Sequence, residues 1–217
     1  MIKKVGLICI NLIILVGNMA MFSGIISQSS FAIYKVEEFY ILVAGFYGFL
    51  LLQLFSKETI QFFYIFEHEL THIVTSLVLF KPVVGMNINI FKGGHVKIRG
   101  ESAFIALSPY VLPLFALFIY LLHYLMIPAV QLVLTFFLGF FLGFYLLRLK
   151  MDIHSNQSDF EYVGFFLSII TIINVNLFFL SFMIYTYFFG VRELSGVLWF
   201  ETKNLIRMLP NMIGNFL

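Results

Sequence analysis

The sequence predicts an all-α membrane protein with about six transmembrane helices and a β-hairpin after the third helix. Of its 217 residues, 61% are hydrophobic and 11% are charged, whereas an ordinary soluble domain is about 25% charged. The apolar stretches run continuously for about twenty residues, as in membrane helices, instead of alternating over about ten residues as barrel strands do. We expect residues 1–217 to form a single integral membrane domain.

The first three spans are predicted near residues 5–27, 39–56 and 60–80. Lys3 and Lys4 precede the first span, as basic residues precede the apolar core of a signal peptide. This span is more than twenty residues long and further spans follow it, which favours an uncleaved anchor over a signal that is removed.

The stretch from residue 81 to residue 101 has a different pattern from the spans around it. Residues 86–90 and 95–99 alternate apolar and polar side chains, and a period of two is typical of strands. The connection between these runs contains Gly93 and Gly94. Such a glycine-containing connection predicts a β-hairpin, which we place between Val83 and Arg99.

The fourth span, near residues 103–126, contains Pro109 and Pro113. Each proline lacks a backbone N–H group and is expected to kink the helix. In a membrane the freed carbonyl groups need partners from protein or water. We therefore expect this break to face the interior of the helix bundle.

The remaining spans are predicted near residues 129–148 and 162–190. Gly139 and Gly143 form a small-residue pair in the fifth span, which allows another helix to approach closely. The C-terminal residues 191–217 mix apolar and charged side chains, a composition typical of a helix that lies along the membrane interface.

Charge and cysteine content argue against nucleic-acid binding and exclude an internal disulfide. The formal net charge is +2, and the 13 basic residues are scattered between the apolar spans. The sequence therefore lacks the basic patch of a protein that binds nucleic acid. Cys9 is the single cysteine, so no internal disulfide can form. Because the basic residues divide almost evenly between the two sides of the predicted spans, the positive-inside rule does not determine orientation.

The third span contains a motif with recognisable chemistry, HELTH, at residues 68–72. His68 and His72 are four residues apart, so on a helix both imidazoles lie on one face and can bind a single metal ion. Glu69 can then point toward a water that the ion activates and act as a general base. This pattern is typical of zinc metalloproteases.

The surroundings of the motif strengthen this interpretation. Residues 62–66 and 73–80 are almost wholly apolar, and between them lie four ionisable residues, Glu67, His68, Glu69 and His72. A charged residue near the centre of a membrane helix costs at least ~2.5 kcal/mol. Four such residues in one span therefore indicate a functional site.

A catalytic zinc site usually has three protein ligands and one open position. The chain contains two aspartates, Asp152 and Asp159, both between the fifth and the last span. We predict Asp159 as the third ligand, with Asp152, His154 or another group as the alternatives. Asp159 also has a structural interpretation, because Ser158 and Glu161 have the spacing of a capping box and an acidic residue in the first turn complements the helix dipole.

Together these features resemble the site-2 protease family of intramembrane zinc metalloproteases. The resemblance rests on HELTH within a span, the hairpin directly after it and an aspartate near the start of a later span. It implies that His68 and His72 bind Zn²⁺, that Glu69 is catalytic and that Asp159 is the third ligand. It covers a catalytic core of about residues 60–176.

The chain also departs from the better-known members of that family. Their third ligand belongs to an Asp-Gly pair, whereas Phe160 follows Asp159 and Ile153 follows Asp152. No inserted PDZ-like domain is recognisable in the sequence either. The chain is therefore similar to a compact, divergent branch.

The resemblance implies a substrate as well as a site. The substrate would be a transmembrane or membrane-proximal protein that is cut within or near the lipid bilayer. The hairpin would hold an unwound substrate segment by adding it as a strand, which makes Asn87 and Asn89 candidate substrate-binding residues. Asn174 in the last span either hydrogen-bonds the substrate or joins two helices.

Two other functions stay open. One is a membrane zincin of the prenyl-protein or stress-protease type, whose third ligand is usually a glutamate on a following helix; few intramembrane glutamates follow the hairpin here. The other is a non-catalytic membrane protein that binds or transports metal ions or protons through the ionisable residues around HELTH.

Overall fold

The structure, a computed structural model, describes residues 2–27, 36–89, 93–100, 102–153 and 158–214. This part of the chain is mostly helical and includes a two-stranded antiparallel sheet. The elements in chain order are α1 (Ile2–Ser27), α2 (Val36–Phe55), α3 (Lys57–Val78), β1 (Val83–Asn89), β2 (Gly93–Ile98), α4 (Ala103–Val111), α5 (Leu114–Leu125), α6 (Pro128–Asp152), α7 (Ser158–Glu161), α8 (Phe165–Phe189) and α9 (Val191–Gly214).

Among the described residues, four helices are long and apolar enough to cross a membrane, namely α1, α2, α6 and α8. Helices α4 and α5 make a fifth span if they are taken together, with a bend of 70° between them. Helix α3 has 22 residues, but the polar residues in its middle lower its mean hydropathy and it is not in this group. These helices are consistent with a membrane protein, whereas the predicted count of six spans is not confirmed.

The chain divides into two compact units. One unit is Glu37–Ser168, and the other combines Met1–Val36 with Ile169–Leu217. The HELTH residues and both aspartates belong to the first unit, while residues 169–176 of the predicted catalytic core belong to the second. The prediction of a single membrane domain stays a prediction.

In the first unit, α2 and α6 approach each other at glycines. A β-carbon at Gly139 would collide with the backbone carbonyl of Leu42, and one at Gly45 would collide with the carbonyl of Phe136. A β-carbon at Gly143 would also come close to the side chains and the backbone of the next turn of α2. The close approach predicted for Gly139 and Gly143 is therefore confirmed, with α2 as the partner helix.

An aromatic core beside this contact joins α3 and α5 to α2 and α6. The ring of Phe144 on α6 lies 5.7 Å from that of Phe49, 4.7 Å from that of Tyr64 and 5.8 Å from that of Phe115. Aromatic pairs of this kind contribute about 0.5–1.5 kcal/mol each beyond the area that they bury. Because Tyr64 lies one turn before His68, this core holds the HELTH helix against α6.

Helix α3 ends in a turn that leads directly into the hairpin. Phe80 has a φ of 54°, the left-handed conformation that commonly terminates helices. The N–H of Lys81 then donates to the carbonyl of Ser76 at 2.8 Å. Pro82 follows and cannot continue the helix.

The predicted β-hairpin is confirmed. Strands β1 and β2 pair antiparallel, with Asn87 opposite His95 and Asn89 opposite Gly93. Residues 90–92 of the predicted connection lie outside the described residues.

In the second unit, buried polar side chains join α1 to α8. Asn11 Nδ2 donates to Thr171 Oγ1 at 2.9 Å, and Asn18 Nδ2 donates to Asn174 Oδ1 at 2.8 Å. Asn174 Nδ2 donates in turn to the backbone carbonyl of Asn11 at 2.6 Å. Of the two roles predicted for Asn174, these contacts correspond to the joining of helices.

Helix α9 covers most of the C-terminal segment predicted to lie along the membrane interface. Ser23 Oγ of α1 donates to Glu201 Oε2 of α9 at 2.8 Å. Trp199 and Phe200 are exposed beside Glu201. A position along the interface stays a prediction for residues 191–217.

Replacing Gly139 with alanine tests the contact between α2 and α6. The added β-carbon meets a backbone carbonyl that cannot rotate away, so we expect the free energy of unfolding to fall by about 1–3 kcal/mol. The fall should occur although alanine favours helices more than glycine does. Unfolding by denaturant in detergent micelles measures the change.

The matched control is Gly196→Ala in α9, where nothing lies within 4 Å of the added carbon. It should be neutral or slightly stabilising. Equal stability of the two variants would contradict a close contact at Gly139.

Candidate metal centre

Three side chains from two helices converge at one point. His68 and His72 project from one face of α3, and Asp159 faces them from α7. Asp159 Oδ2 lies 3.4 Å from His68 Nε2 and 3.7 Å from His72 Nε2. Each residue offers a ligand atom within 4.8 Å of the other two. The structure thus brings the two predicted histidines together with the predicted third ligand, while His154 lies outside the described residues.

The other ring nitrogen of each histidine faces a hydrogen-bond acceptor. His72 Nδ1 lies 2.8 Å from the backbone carbonyl oxygen of Ile105, and His68 Nδ1 lies 3.2 Å from Asp152 Oδ2. A carbonyl and an ionised carboxylate can only accept, so each neutral imidazole carries its proton on Nδ1. The Nε2 lone pairs of both rings then face Asp159 Oδ2.

This arrangement fits a divalent metal ion. Two imidazole lone pairs and a carboxylate oxygen repel one another unless a cation lies among them. A tetrahedral zinc ion with bonds of about 2.0–2.1 Å keeps its ligand atoms about 3.3–3.4 Å apart, close to the 3.4 and 3.7 Å between Asp159 and the two rings. Two histidines with one carboxylate are also a donor set of known catalytic zinc sites.

Asp159 is held in its ionised form. Burial raises the pKa of the Asp159 carboxyl, but the rings of His68 and His72, when protonated at Nε2, lower it by a larger amount, so this pKa is well below its usual range. Tyr110, which is fully buried, donates its hydroxyl to Asp159 Oδ2 at 2.9 Å. A metal ion requires this deprotonated carboxylate. The capping alternative involves the side chain of Ser158, which lies outside the described side chains.

The broken helix α4–α5 supplies acceptors beside this cluster. The carbonyl of Ile105 would normally bond to residue 109 and that of Pro109 to residue 113, but both partners are prolines without an N–H group. The Ile105 carbonyl accepts from His72 Nδ1 and from Ser108 Oγ, and the Pro109 carbonyl accepts from Arg148 Nη2. The prediction that the break faces the protein interior is therefore confirmed.

The bend between α4 and α5 is braced by a buried ion pair. Glu67 Oε1 accepts the backbone N–H of Phe115 at 3.0 Å, at the start of α5. Glu67 Oε2 lies 3.2 Å from Arg148 Nε, and both side chains are 1% exposed. Glu67 thus acts as a cap for α5, and its charge is balanced by Arg148 instead of facing the metal cluster.

A cavity of about 590 Å³ opens beside the cluster and is lined by His68, Glu69, His72, Asp152 and Asp159. Glu69 is 6% exposed. Strand β2 lies directly over it, because a β-carbon at Gly94 would come within 2.7 Å of Glu69 Oε1. The general base predicted from the motif therefore shares one cavity with all three candidate ligands.

Polar residues of the hairpin line two different cavities. His95 is exposed on β2 and lines the same cavity. Asn87 and Asn89 are exposed on β1 and, with Gly93, Gly94 and His95, line a second cavity of about 310 Å³. A substrate-binding role for either asparagine stays a prediction.

Two residues of the site were missed by reasoning from sequence. Arg148 was counted among the scattered basic residues, because an arginine at the end of an apolar span commonly extends to the membrane interface. Tyr110 carries no such signal, because tyrosines and phenylalanines are abundant throughout this chain.

No known protein-family model matches this chain, and no curated protein and no solved structure is significantly similar to it. The resemblance to site-2 proteases therefore stays a prediction. The chemistry of the site has to be argued from its geometry.

Replacing Arg148 with methionine tests the ion pair. The variant leaves the carboxylate of Glu67 buried without its cation and the Pro109 carbonyl without its donor. We expect the free energy of unfolding to fall by about 3–5 kcal/mol. Adding Glu67→Gln should recover part of this loss, because the uncompensated charge is then removed.

Lys150→Met is the control, since Lys150 is exposed on the same helix. It should leave stability nearly unchanged. An Arg148→Met protein as stable as the Lys150 variant would refute the bracing role.

Proposed function

We propose that this protein is an intramembrane zinc metalloprotease, similar to the site-2 proteases, that hydrolyses peptide bonds of membrane-embedded or membrane-proximal proteins. The observation that carries the proposal is the convergence of His68 Nε2, His72 Nε2 and Asp159 Oδ2 on one point beside Glu69. The apolar helices of the chain support a site within or near the lipid bilayer.

His68, His72 and Asp159 would hold Zn²⁺ at the site. When bound, the ion polarises the scissile carbonyl and lowers the pKa of a water molecule. Glu69 takes a proton from that water as the water oxygen attacks the carbonyl carbon. Glu69 then delivers the proton to the amide nitrogen as the C–N bond breaks, which leaves a carboxylic acid and an amine.

The cavity gives the site what hydrolysis in a membrane requires. Its polar lining admits water to a region otherwise bounded by apolar helices. Strand β2 borders the cavity at Gly94 and Val96, so an extended substrate segment could lie beside the hairpin, near Asn87 and Asn89. An extended segment exposes a peptide bond that a transmembrane helix keeps within its own hydrogen bonds.

The buried ion pair argues for catalysis over ion transport. A proton or ion path needs exchangeable charged groups, but Glu67 is bound by Arg148 and by the start of α5. Of the four ionisable residues around HELTH, this leaves His68, Glu69 and His72 facing the cavity. Those three are the residues of a metalloprotease site.

Glu69→Gln tests the proposed general base. The amide cannot accept the proton from water, so cleavage of quenched fluorogenic transmembrane peptides in proteoliposomes should fall by about 10²–10⁴-fold. The zinc content of the purified protein should stay near one ion per chain, because Glu69 is not among the three ligand atoms.

Glu58→Gln, at an exposed position in the first turn of the same helix, should cleave as the wild type does. A wild-type protein that binds no zinc, or a Glu69→Gln variant that still cleaves, would refute the proposal. Glu69-dependent ion flux in vesicles without cleavage would favour a transporter.

Gly94→Ala tests whether strand β2 keeps Glu69 in place. The added carbon must displace either the Glu69 side chain or the strand, since it falls within 2.5 Å of Glu69 Cγ. We expect a lower kcat for the same peptides with zinc content unchanged.

The control lies in the same hairpin. At Gly85 nothing lies within 4 Å of an added carbon, so Gly85→Ala should preserve kcat. Equal activity of the two variants would show that the contact between Gly94 and Glu69 is unimportant for turnover.

A further inference from the structure

Asp152 was an alternative third ligand in the sequence, but its contact has a different geometry from that of Asp159. Asp152 Oδ2 lies 3.2 Å from His68 Nδ1, whereas Asp159 Oδ2 lies 3.4 Å from His68 Nε2. The two nitrogens of an imidazole point in divergent directions. An ion bound at Nε2 is therefore out of reach of a carboxylate that is hydrogen-bonded at Nδ1.

The position of Asp152 is fixed by the helix that carries it. Arg148 and Asp152 are four residues apart on α6 and so share one face of that helix. They meet Glu67 and His68, which are consecutive on α3. The buried pair between Arg148 and Glu67 thus anchors α6 at the point where Asp152 reaches the ring of His68.

The two histidines differ in what holds them. His72 is tied to a backbone carbonyl that Pro109 leaves without its usual donor. The other nitrogen of His68 instead meets the carboxylate of Asp152, a side chain that can be changed without altering the backbone. A carboxylate at this position fixes the tautomer and the ring orientation, and it makes the other nitrogen a stronger donor to a metal.

We propose that Asp152 is a positioning residue that holds the His68 ring with Nε2 toward the metal centre, and that it is not a metal ligand. This inference rests on the proposed zinc site but concerns a residue outside the ligand set. Its loss should weaken zinc binding without removing a donor from the ion.

Zinc affinity, measured by competition with a chromogenic chelator, tests the proposal in the full chain in detergent. Asp152→Ala should weaken Zn²⁺ binding by about 10–100-fold. Asp152→Asn keeps an acceptor for the Nδ1 proton, so its affinity should lie nearer to that of the wild type. Lys150→Ala is the control, because Lys150 is exposed on the same helix and is not among the residues that line the cavity, and its affinity should equal that of the wild type.

Visible absorption of the Co²⁺-substituted protein separates a ligand from a positioning residue. Asp152→Ala should keep the intensity of the four-coordinate wild-type spectrum, and Asp159→Ala should change it. Wild-type zinc affinity in Asp152→Ala would overturn the positioning role while leaving the protease proposal intact. A spectrum that changes in Asp152→Ala but not in Asp159→Ala would make Asp152 the ligand, which would also overturn its positioning role.

The tautomer of His68 in the wild-type protein gives a readout that needs no variant. Nitrogen-15 NMR of the zinc-loaded protein should show His68 protonated at Nδ1 and bound to the metal through Nε2. Coordination through Nδ1 would overturn the proposal even if Asp152→Ala does not fold. A wild-type chain that binds neither Zn²⁺ nor Co²⁺ would overturn the proposed function and this inference together.

Discussion

The missing N–H groups of Pro109 and Pro113 are the constraint around which the site is built. In apolar surroundings a carbonyl without a partner costs several kcal/mol, so the helix that contains these prolines needs donors from elsewhere. His72 and the hydroxyl of Ser108 donate to the carbonyl of Ile105, and Arg148 donates to that of Pro109. One of these donors belongs to the metal centre, so satisfying the backbone and orienting a candidate ligand are the same interaction.

The charges of the site follow from this framework. Arg148 is matched by Glu67, which leaves Glu69, Asp152 and Asp159 as the carboxylates along the cavity. Metal ligation requires both histidines in their neutral form, and the group then carries excess negative charge beside the cavity. A divalent cation reduces that excess, and the geometry offers it two nitrogens and one oxygen at a single point. The electrostatics and the distances therefore support the same occupant.

Local patterns in the sequence predicted much of the fold, because hydrophobic length, strand alternation and proline act within a few residues. The hairpin, the break in the fourth span and the close contact at Gly139 could be found in this way. The polarity of α3 left the number of spans undecided. The contacts of Arg148 with Glu67 and Pro109 and of Tyr110 with Asp159 could not be predicted, because these partners lie 39 or more residues away along the chain. The difference between Asp152 and Asp159 could not be predicted either, because it depends on which nitrogen of the distant His68 each one meets.

X-ray absorption at the zinc edge of the wild-type protein tests the central claim most directly. The account predicts one zinc ion per chain, with two imidazole nitrogens and oxygen donors at about 2.0–2.2 Å, and loss of one imidazole in His72→Ala. A protein purified without chelators that holds no zinc would contradict it, and so would a first shell that contains sulfur or lacks imidazole.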